Sequence, residues 1–237
     1  MLDPNAAPGT LKRNIITPLR AVLRLAHKQR WCELPVFEVP RERKGRINYL
    51  LPAEARRLIA AANPALQSLI EFILGTGARL SEALELDWRD LNLNGGRAHF
   101  WVTKNGQQRN AHLPPGVVTL LENLPQPHEG AVFRRPDGRP YADRNRERGG
   151  QAAAAWEGAK RRAGIDPALH LHDLRHTWAS WHYAVHRDPL KLKVEGGWSS
   201  LDQMERYAHL LTAGHEQEIK AFWHVVDTHP DRLALSA

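Results

Sequence analysis

The stretch from Leu91 to Leu113 constrains the fold most, because its turns and apolar spacing do not suit a helix. Asn94-Gly95-Gly96 forms a turn, Ala98-His99-Phe100-Trp101-Val102 reads as a strand, and Lys104-Asn105-Gly106-Gln107 forms a second turn. Asn110 to Leu113 is then a returning strand. Asn-Gly supplies the positive φ angles of a tight hairpin, so two short antiparallel strands are expected here. The text on both sides is helical. Pro52–Ala62, Pro64–Leu74 and Arg79–Leu86 precede the hairpin, with Gly75-Thr76-Gly77 as a break. Gly116–Leu124, Gln151–Ala163, His172–Val185, Pro189–Val194, Leu201–Tyr207 and Glu216–Val226 follow it. In the last of these, Ile219, Phe222, Trp223 and Val226 keep the spacing of one helix face. The fold class is therefore mainly α with a small antiparallel β-sheet, an α+β arrangement.

Ahead of this body, Thr17 to Arg30 reads as a helix capped by Thr17, with Pro18 in its first turn and Leu19, Val22, Leu23 and Ala26 as an apolar stripe. Leu34 to Asn48 carries Pro35, Pro40 and the run Arg41-Glu42-Arg43-Lys44-Gly45-Arg46, and reads as a basic linker. So few residues cannot build a core of their own. The expected organisation is a helix belonging to a larger N-terminal module at 1–33, a linker at 34–48, a main body at 49–212 and an amphipathic tail at 213–237. The segment from Arg134 to Gly150 reads as a basic loop.

The 237 residues carry a formal net charge of +7, distributed unevenly. Met1 to Leu50 holds ten Lys/Arg against four Asp/Glu, and Arg134 to Arg162 nine against four. From Glu195 onward there are seven Asp/Glu and three Lys/Arg. Segregated charge of this kind points to one face for phosphates, as in a DNA or RNA binder, and other faces for other jobs. No apolar run approaches the roughly 20 residues of a membrane span, and no secretory leader is evident, so a cytoplasmic location is expected. Cys32 is the sole cysteine, which excludes an internal disulfide and a cysteine-based zinc site.

Four segments could carry chemistry. They are Thr76-Gly77-Ala78-Arg79-Leu80-Ser81-Glu82, Val102-Thr103-Lys104-Asn105-Gly106, Leu171-His172-Asp173-Leu174-Arg175-His176, and Gly196-Gly197-Trp198-Ser199-Ser200 continuing to Met204-Glu205-Arg206-Tyr207-Ala208-His209-Leu210. Each has an ordinary structural reading when taken singly. Arg79 can be a surface arginine, Lys104 a solvated turn residue, His172 and Arg175 a hydrogen-bonded pair on one helix face, and Trp198 and Tyr207 core aromatics.

Taken together and in order, the segments resemble the tyrosine recombinase or phage integrase family. Its pattern is an Arg, a hairpin Lys, His-x-x-Arg, a His or Trp, and a nucleophilic Tyr. Arg79, Lys104, His172, Arg175, Trp198 and Tyr207 occupy these places, and Glu82 stands where an acidic residue is usual. Trp198 replaces the second His of many members. The resemblance covers about Leu50 to Thr212 and implies cleavage and rejoining of DNA through a 3′-phosphotyrosine, without metal or other cofactor. It also implies a homotetramer on DNA and a directionality factor as a further partner. The family's core-binding domain would be represented here only by its last helix.

The implied chemistry suits these residues. A phenol with a pKa near 10 is a poor nucleophile at neutral pH and needs a proton acceptor or a positive setting. His172 offers an imidazole for acid–base help. Arg79 and Arg175 can grip the phosphate oxygens with forked hydrogen bonds. Lys104 would protonate the leaving oxygen, Trp198 would pack beside the phosphate, and Glu82 would orient its neighbours. Arg41, Arg43, Lys44, Arg46, Arg134 and Arg135, with Lys104, are the expected contacts to the DNA backbone.

Three rival readings differ in what they require. A zinc hydrolase could use the i, i+4 pairs His172/His176 or His182/His186, but Asp173, not Glu, follows the first histidine. A non-recombining DNA-binding relative would keep the basic surface without the chemistry. A type IB topoisomerase shares the arginines and the tyrosine, but not the Gly-Gly-Trp-Ser-Ser to Arg-Tyr-Ala-His-Leu text.

Overall fold

A computed structural model describes residues 7–36, 47–101, 108–125, 127–141, 152–208 and 214–225. The chain divides into two units, Met1–Arg46 and Ile47–Ala237. In the first, α1 (Pro8–Leu11) runs through a π-turn at Lys12–Ile16 into α2 (Thr17–Lys28). Thr17 is therefore inside a continuous helical run instead of capping its start, and its hydroxyl donates back to the Lys12 carbonyl at 2.8 Å. Leu19, Val22 and Leu25 on α2 are exposed. The arginines and lysine of the linker at 41–46 lie outside the described residues.

The second unit is built around α8 (Asp173–His186), whose Trp178, Ala179 and Trp181 are buried in the core. Two helices lead up to the site, α3 (Pro52–Ala61) and α4 (Pro64–Thr76), each with Pro in the first turn, where a missing N–H costs nothing. α4 packs against α8. It also runs two residues beyond Leu74, its expected end, and stops at Gly77, which adopts φ +63°. A Cβ at Gly77 would lie 2.2 Å from the Trp178 ring, so the left-handed turn and the close approach both require glycine. The chain entering this unit is tied to α8 as well. Leu50 N–H donates to Thr177 Oγ1 at 3.0 Å, and Trp181 Nε1 donates to the Leu50 carbonyl at 2.9 Å.

α5 (Leu80–Glu85) leads to a three-stranded antiparallel sheet in the order β1 (Leu91–Asn92), β2 (Arg97–Phe100), β3 (Arg109–His112). The hairpin expectation holds for the two longer strands, while β1 was not foreseen because two residues are too few for a visible alternation. Ala98 pairs with Ala111 and Phe100 with Arg109, so the buried positions of the two strands face the same side. The turn at 102–107, including Lys104, lies outside the described residues. α6 (Pro115–Glu122) and α7 (Ala153–Ala163) complete the packing around α4 and α3.

α9 (Pro189–Gly196) starts at Asp188, whose side chain accepts from the Leu190 and Lys191 amides, and ends at Gly197 with φ +65°. A 3₁₀ turn at Leu201–Gln203 and the one-turn helix α10 (Glu205–Ala208) follow. α11 (Glu216–Phe222) then packs on its own unit: Ile219 and Trp223 are buried, and Trp223 Nε1 donates to the Leu74 carbonyl at 3.0 Å. In the described part of the tail, Ile219 and Trp223 of this apolar stripe are therefore covered by the same unit. Among the described residues, no helix is long and apolar enough to cross a membrane.

Candidate active site

Four elements meet at one cluster of arginines. Arg79 sits at the cap of α5, where its backbone N–H donates to Glu82 Oε2 at 2.9 Å and its guanidinium forms a short contact with Glu82 Oε1. Glu82 thus closes the first turn of its helix and holds the arginine ahead of it. From β3, Arg109 Nη2 donates to Glu82 Oε2 at 2.7 Å and Nη1 to the Glu195 carbonyl at 2.7 Å, while its Cζ lies 4.5 Å over the Phe100 ring. From α8, Arg175 donates to the Gly77 carbonyl and to the Gly196 carbonyl, both at 2.6 Å. Arg79 Nη2 reaches the Gly197 carbonyl at 3.4 Å. Three consecutive carbonyls at the end of α9, those of Glu195, Gly196 and Gly197, therefore each accept from a different guanidinium. This is the negative end of a helix, where cations are favoured.

The charge is unbalanced. Glu82 is the carboxylate that faces Arg79, Arg109 and Arg175, and burial would raise its pKa, but Arg109 and Arg79 hold it below the usual carboxylate range. Burial lowers Arg109, and Arg175 is pushed down to about 9 by burial and then by the nearby Arg79 and Arg109. Arg175 is still cationic at neutral pH. A cluster that lowers the basicity of its own arginines favours an arriving anion.

Trp198 and Tyr207 close the site. Arg175 Cζ stacks 4.1 Å over the Trp198 ring, and Trp198 lies 5.8 Å from the Tyr207 ring between centroids. Tyr207 is buried, and its Oη lies 2.6 Å from His176 Nδ1. Burial pushes the phenol up to about 12 despite Arg175 and Arg206. His176 is held down at about 4 by burial and by His172, Arg206 and Arg175. The neutral forms of both groups therefore meet at neutral pH. His172, at the cap of α8, is exposed and contacts the His176 ring edge-on at 5.0 Å.

Of the residues singled out in the sequence, Arg79, Glu82, Arg175, Trp198 and Tyr207 come together, and His172 stands one ring away from the phenol. Lys104, Arg41, Arg43, Lys44 and Arg46 lie outside the described residues. Arg134 and Arg135 are not part of the cluster. Arg134 donates to the Glu129 and Gly138 carbonyls at 2.9 and 3.3 Å, and Arg135 pairs with Asp137 at 3.0 Å. Two participants were missed. Arg109 had a readable signal: it shares the inward phase of Ala111 and Leu113, and a cation on an inward strand face needs a partner. His176 had been considered only as half of a metal-spaced pair. His182, from the other such pair, bonds Glu195 Oε2 through Nε2 at 2.9 Å. Among the described residues, no group of three or more His, Cys, Asp or Glu is arranged to hold a metal ion.

An arginine cluster with a buried tyrosine beside it thus sits on a mostly helical body with a three-stranded sheet. Residues 48–213 match the model of the phage integrase family, and the chain belongs to that family. It is 33% identical over 225 residues to the integrase of Salmonella phage P22, covering 89% of this chain and 56% of that protein. It is 30% identical to the shufflon-specific DNA recombinase of Escherichia coli, covering 72% of this chain and 42% of that one. The chain thus spans about half the length of these curated relatives. Among solved structures, the catalytic domain of bacteriophage HP1 integrase matches with TM-score 0.55 and 26% identity, covering 74% of this chain and 95% of that domain. The Tn1549 transposon integrase, in complex with circular intermediate DNA, shares the fold at TM-score 0.69 and 16% identity, over 92% of this chain and 79% of that one.

Proposed function

We propose that this chain is the catalytic part of a site-specific DNA recombinase that cleaves and rejoins strands through a 3′-phosphotyrosine at Tyr207. The observation that carries the reading is the excess of positive charge gathered by Arg79, Arg109 and Arg175 around one carboxylate, next to a sheltered phenol. A phosphodiester brings the missing negative charge. As the phosphorus becomes five-coordinate, charge builds on its non-bridging oxygens, and Arg79 and Arg175 stabilise it with donors already fixed in place. Glu82 and Arg109 orient Arg79, and Trp198 walls the phosphate against Arg175. His172 serves the phosphate from the open end of α8, and Lys104 protonates the departing 5′ oxygen. The ester bond energy is kept in the tyrosyl linkage, so a second 5′ hydroxyl can reverse the step without a cofactor.

The partners follow from this role. Arg41, Arg43, Lys44, Arg46, Arg134 and Arg135 would contact the backbone of double-stranded DNA, with Arg134 and Arg135 exchanging their local partners for phosphates. A homotetramer on DNA, assisted by a directionality factor and acting in the cytoplasm, is the expected working form. The test is covalent trapping on nicked suicide duplexes drawn from a randomised pool. The wild type should form an adduct stable to denaturation, and Tyr207→Phe should form none. Retention of DNA by the wild type without any adduct would favour a non-recombining DNA-binding relative instead.

A further inference from the structure

We infer that His176, not His172, takes the proton from the Tyr207 phenol during cleavage and returns it during rejoining. The inference rests on the recombinase reading and adds a residue that touches the reacting atom. The geometry is direct. His176 Nδ1 lies 2.6 Å from Tyr207 Oη, whereas His172 meets the His176 ring edge-on at 5.0 Å. His176 sits one residue beyond Arg175 on α8, so the helix that holds the phosphate-gripping arginine also sets the height of the imidazole beside the nucleophile.

The surroundings explain when the proton can move. His172 and Arg175 from α8 and Arg206 from α10 all bear on His176, and Arg175 and Arg206 also bear on Tyr207. In the resting site burial and these charges disfavour an imidazolium, so the phenol keeps its proton and stays inert. A phosphate held by Arg79 and Arg175 places negative charge among those cations, and the imidazolium then becomes affordable in the same step as attack. An Oη lone pair forms the Oη–P bond, and the phenol proton passes to Nδ1. The P–O5′ bond breaks with its electrons on O5′, which takes a proton from Lys104. Rejoining runs backwards: a 5′ hydroxyl attacks phosphorus and returns its proton to Lys104, the Oη–P bond breaks, and the leaving phenolate recovers its proton from His176. A base that acquires strength only with substrate bound keeps the nucleophile silent off DNA.

Two measurements test this. In the DNA-free wild type, long-range ¹⁵N–¹H NMR of labelled histidines should show His176 as the Nε2–H tautomer, with Nδ1 unprotonated and accepting from the phenol. A proton on Nδ1 would overturn the inference, since that nitrogen would then be donating. On the duplex that best traps the wild type, His176→Gln should slow single-turnover adduct formation by about 10²- to 10³-fold. The residual rate of that variant should climb about tenfold per pH unit, because only spontaneous phenolate then reacts. A rate within threefold of wild type, with Tyr207→Phe still inert, would refute the role of His176 and leave the recombinase reading intact. Failure of the wild type itself to form an adduct would remove both.

Discussion

Arg175 and Tyr207 are equally hidden, at 3% exposed each, but they are held in opposite ways. Arg175 projects from a 14-residue helix and is pinned by carbonyls from two other places, Gly77 at the end of α4 and Gly196 at the end of α9. Tyr207 sits on a four-residue helix after a 3₁₀ turn, and its phenol meets one imidazole. The arginine side has a fixed geometry whose alternatives would leave buried carbonyls unpaired. The tyrosine side is lightly held, so the phenol can turn towards a phosphate at small cost while its proton stays within reach of His176 Nδ1. Catalysis of this type needs both: donors that do not reorganise, and a nucleophile that moves.

The largest effect should come from the lightly held side. Tyr207→Phe removes the oxygen proposed to attack, and adduct formation should vanish in a denaturing-gel assay. Its melting temperature should change little, because one hydrogen bond of roughly 1 kcal/mol is lost. A large stability loss would mean the phenol is structural, and the contrast with Arg175 would break. Next, Arg175→Lys keeps the charge but cannot bridge the Gly77 and Gly196 carbonyls as a fork. Single-turnover cleavage should fall about 10²- to 10³-fold, and the melting temperature should drop as well. Activity lost with stability unchanged would show that the carbonyl clasp does not stabilise the fold.

Gly77→Ala probes the fixed side without touching a charge. The residue would be strained at φ +63° and its methyl would meet Trp178, so a destabilisation of about 2 kcal/mol or more is expected in chemical denaturation. A smaller effect concerns pH. His176 has its pKa lowered to about 4 in the fold, below the ordinary 6.5. Between these values the unfolded chain binds a proton that the folded chain does not, so stability falls as pH drops through that window. Lowering the pH from 7.5 to 5 should cost about 1–2 kcal/mol from this group, and His176→Gln should flatten the slope. An unchanged slope in that variant would place the acid sensitivity elsewhere.

Much of the site was legible because its chemistry is carried by residue types in a fixed order. Arg79, Glu82, Arg175, Trp198 and Tyr207 could be picked out before any folding was considered, and the Asn-Gly turns located the sheet. What escaped was of a different kind. The carbonyls of Gly77, Glu195, Gly196 and Gly197 have no identity in a sequence, yet they aim the three guanidiniums. Arg109 was hidden because a lone arginine in a strand resembles any solvated cation until its inward phase is weighed. His176 was overshadowed by His172, whose place in the His-x-x-Arg pattern says nothing about which imidazole faces the phenol. The amphipathic tail had its helix recognised, but an apolar stripe does not say which surface covers it, and α11 lies on its own unit.

The most direct test of the convergence of these side chains is to map the covalent linkage. Adduct trapped on suicide duplexes can be digested with protease and nuclease and sequenced by tandem mass spectrometry, with the polarity of the attached nucleotide determined. The account predicts a single 3′-nucleotidyl group on the peptide containing Tyr207, attached through the phenol oxygen. A linkage at another residue, or a nucleotide attached through its 5′ end, would contradict it.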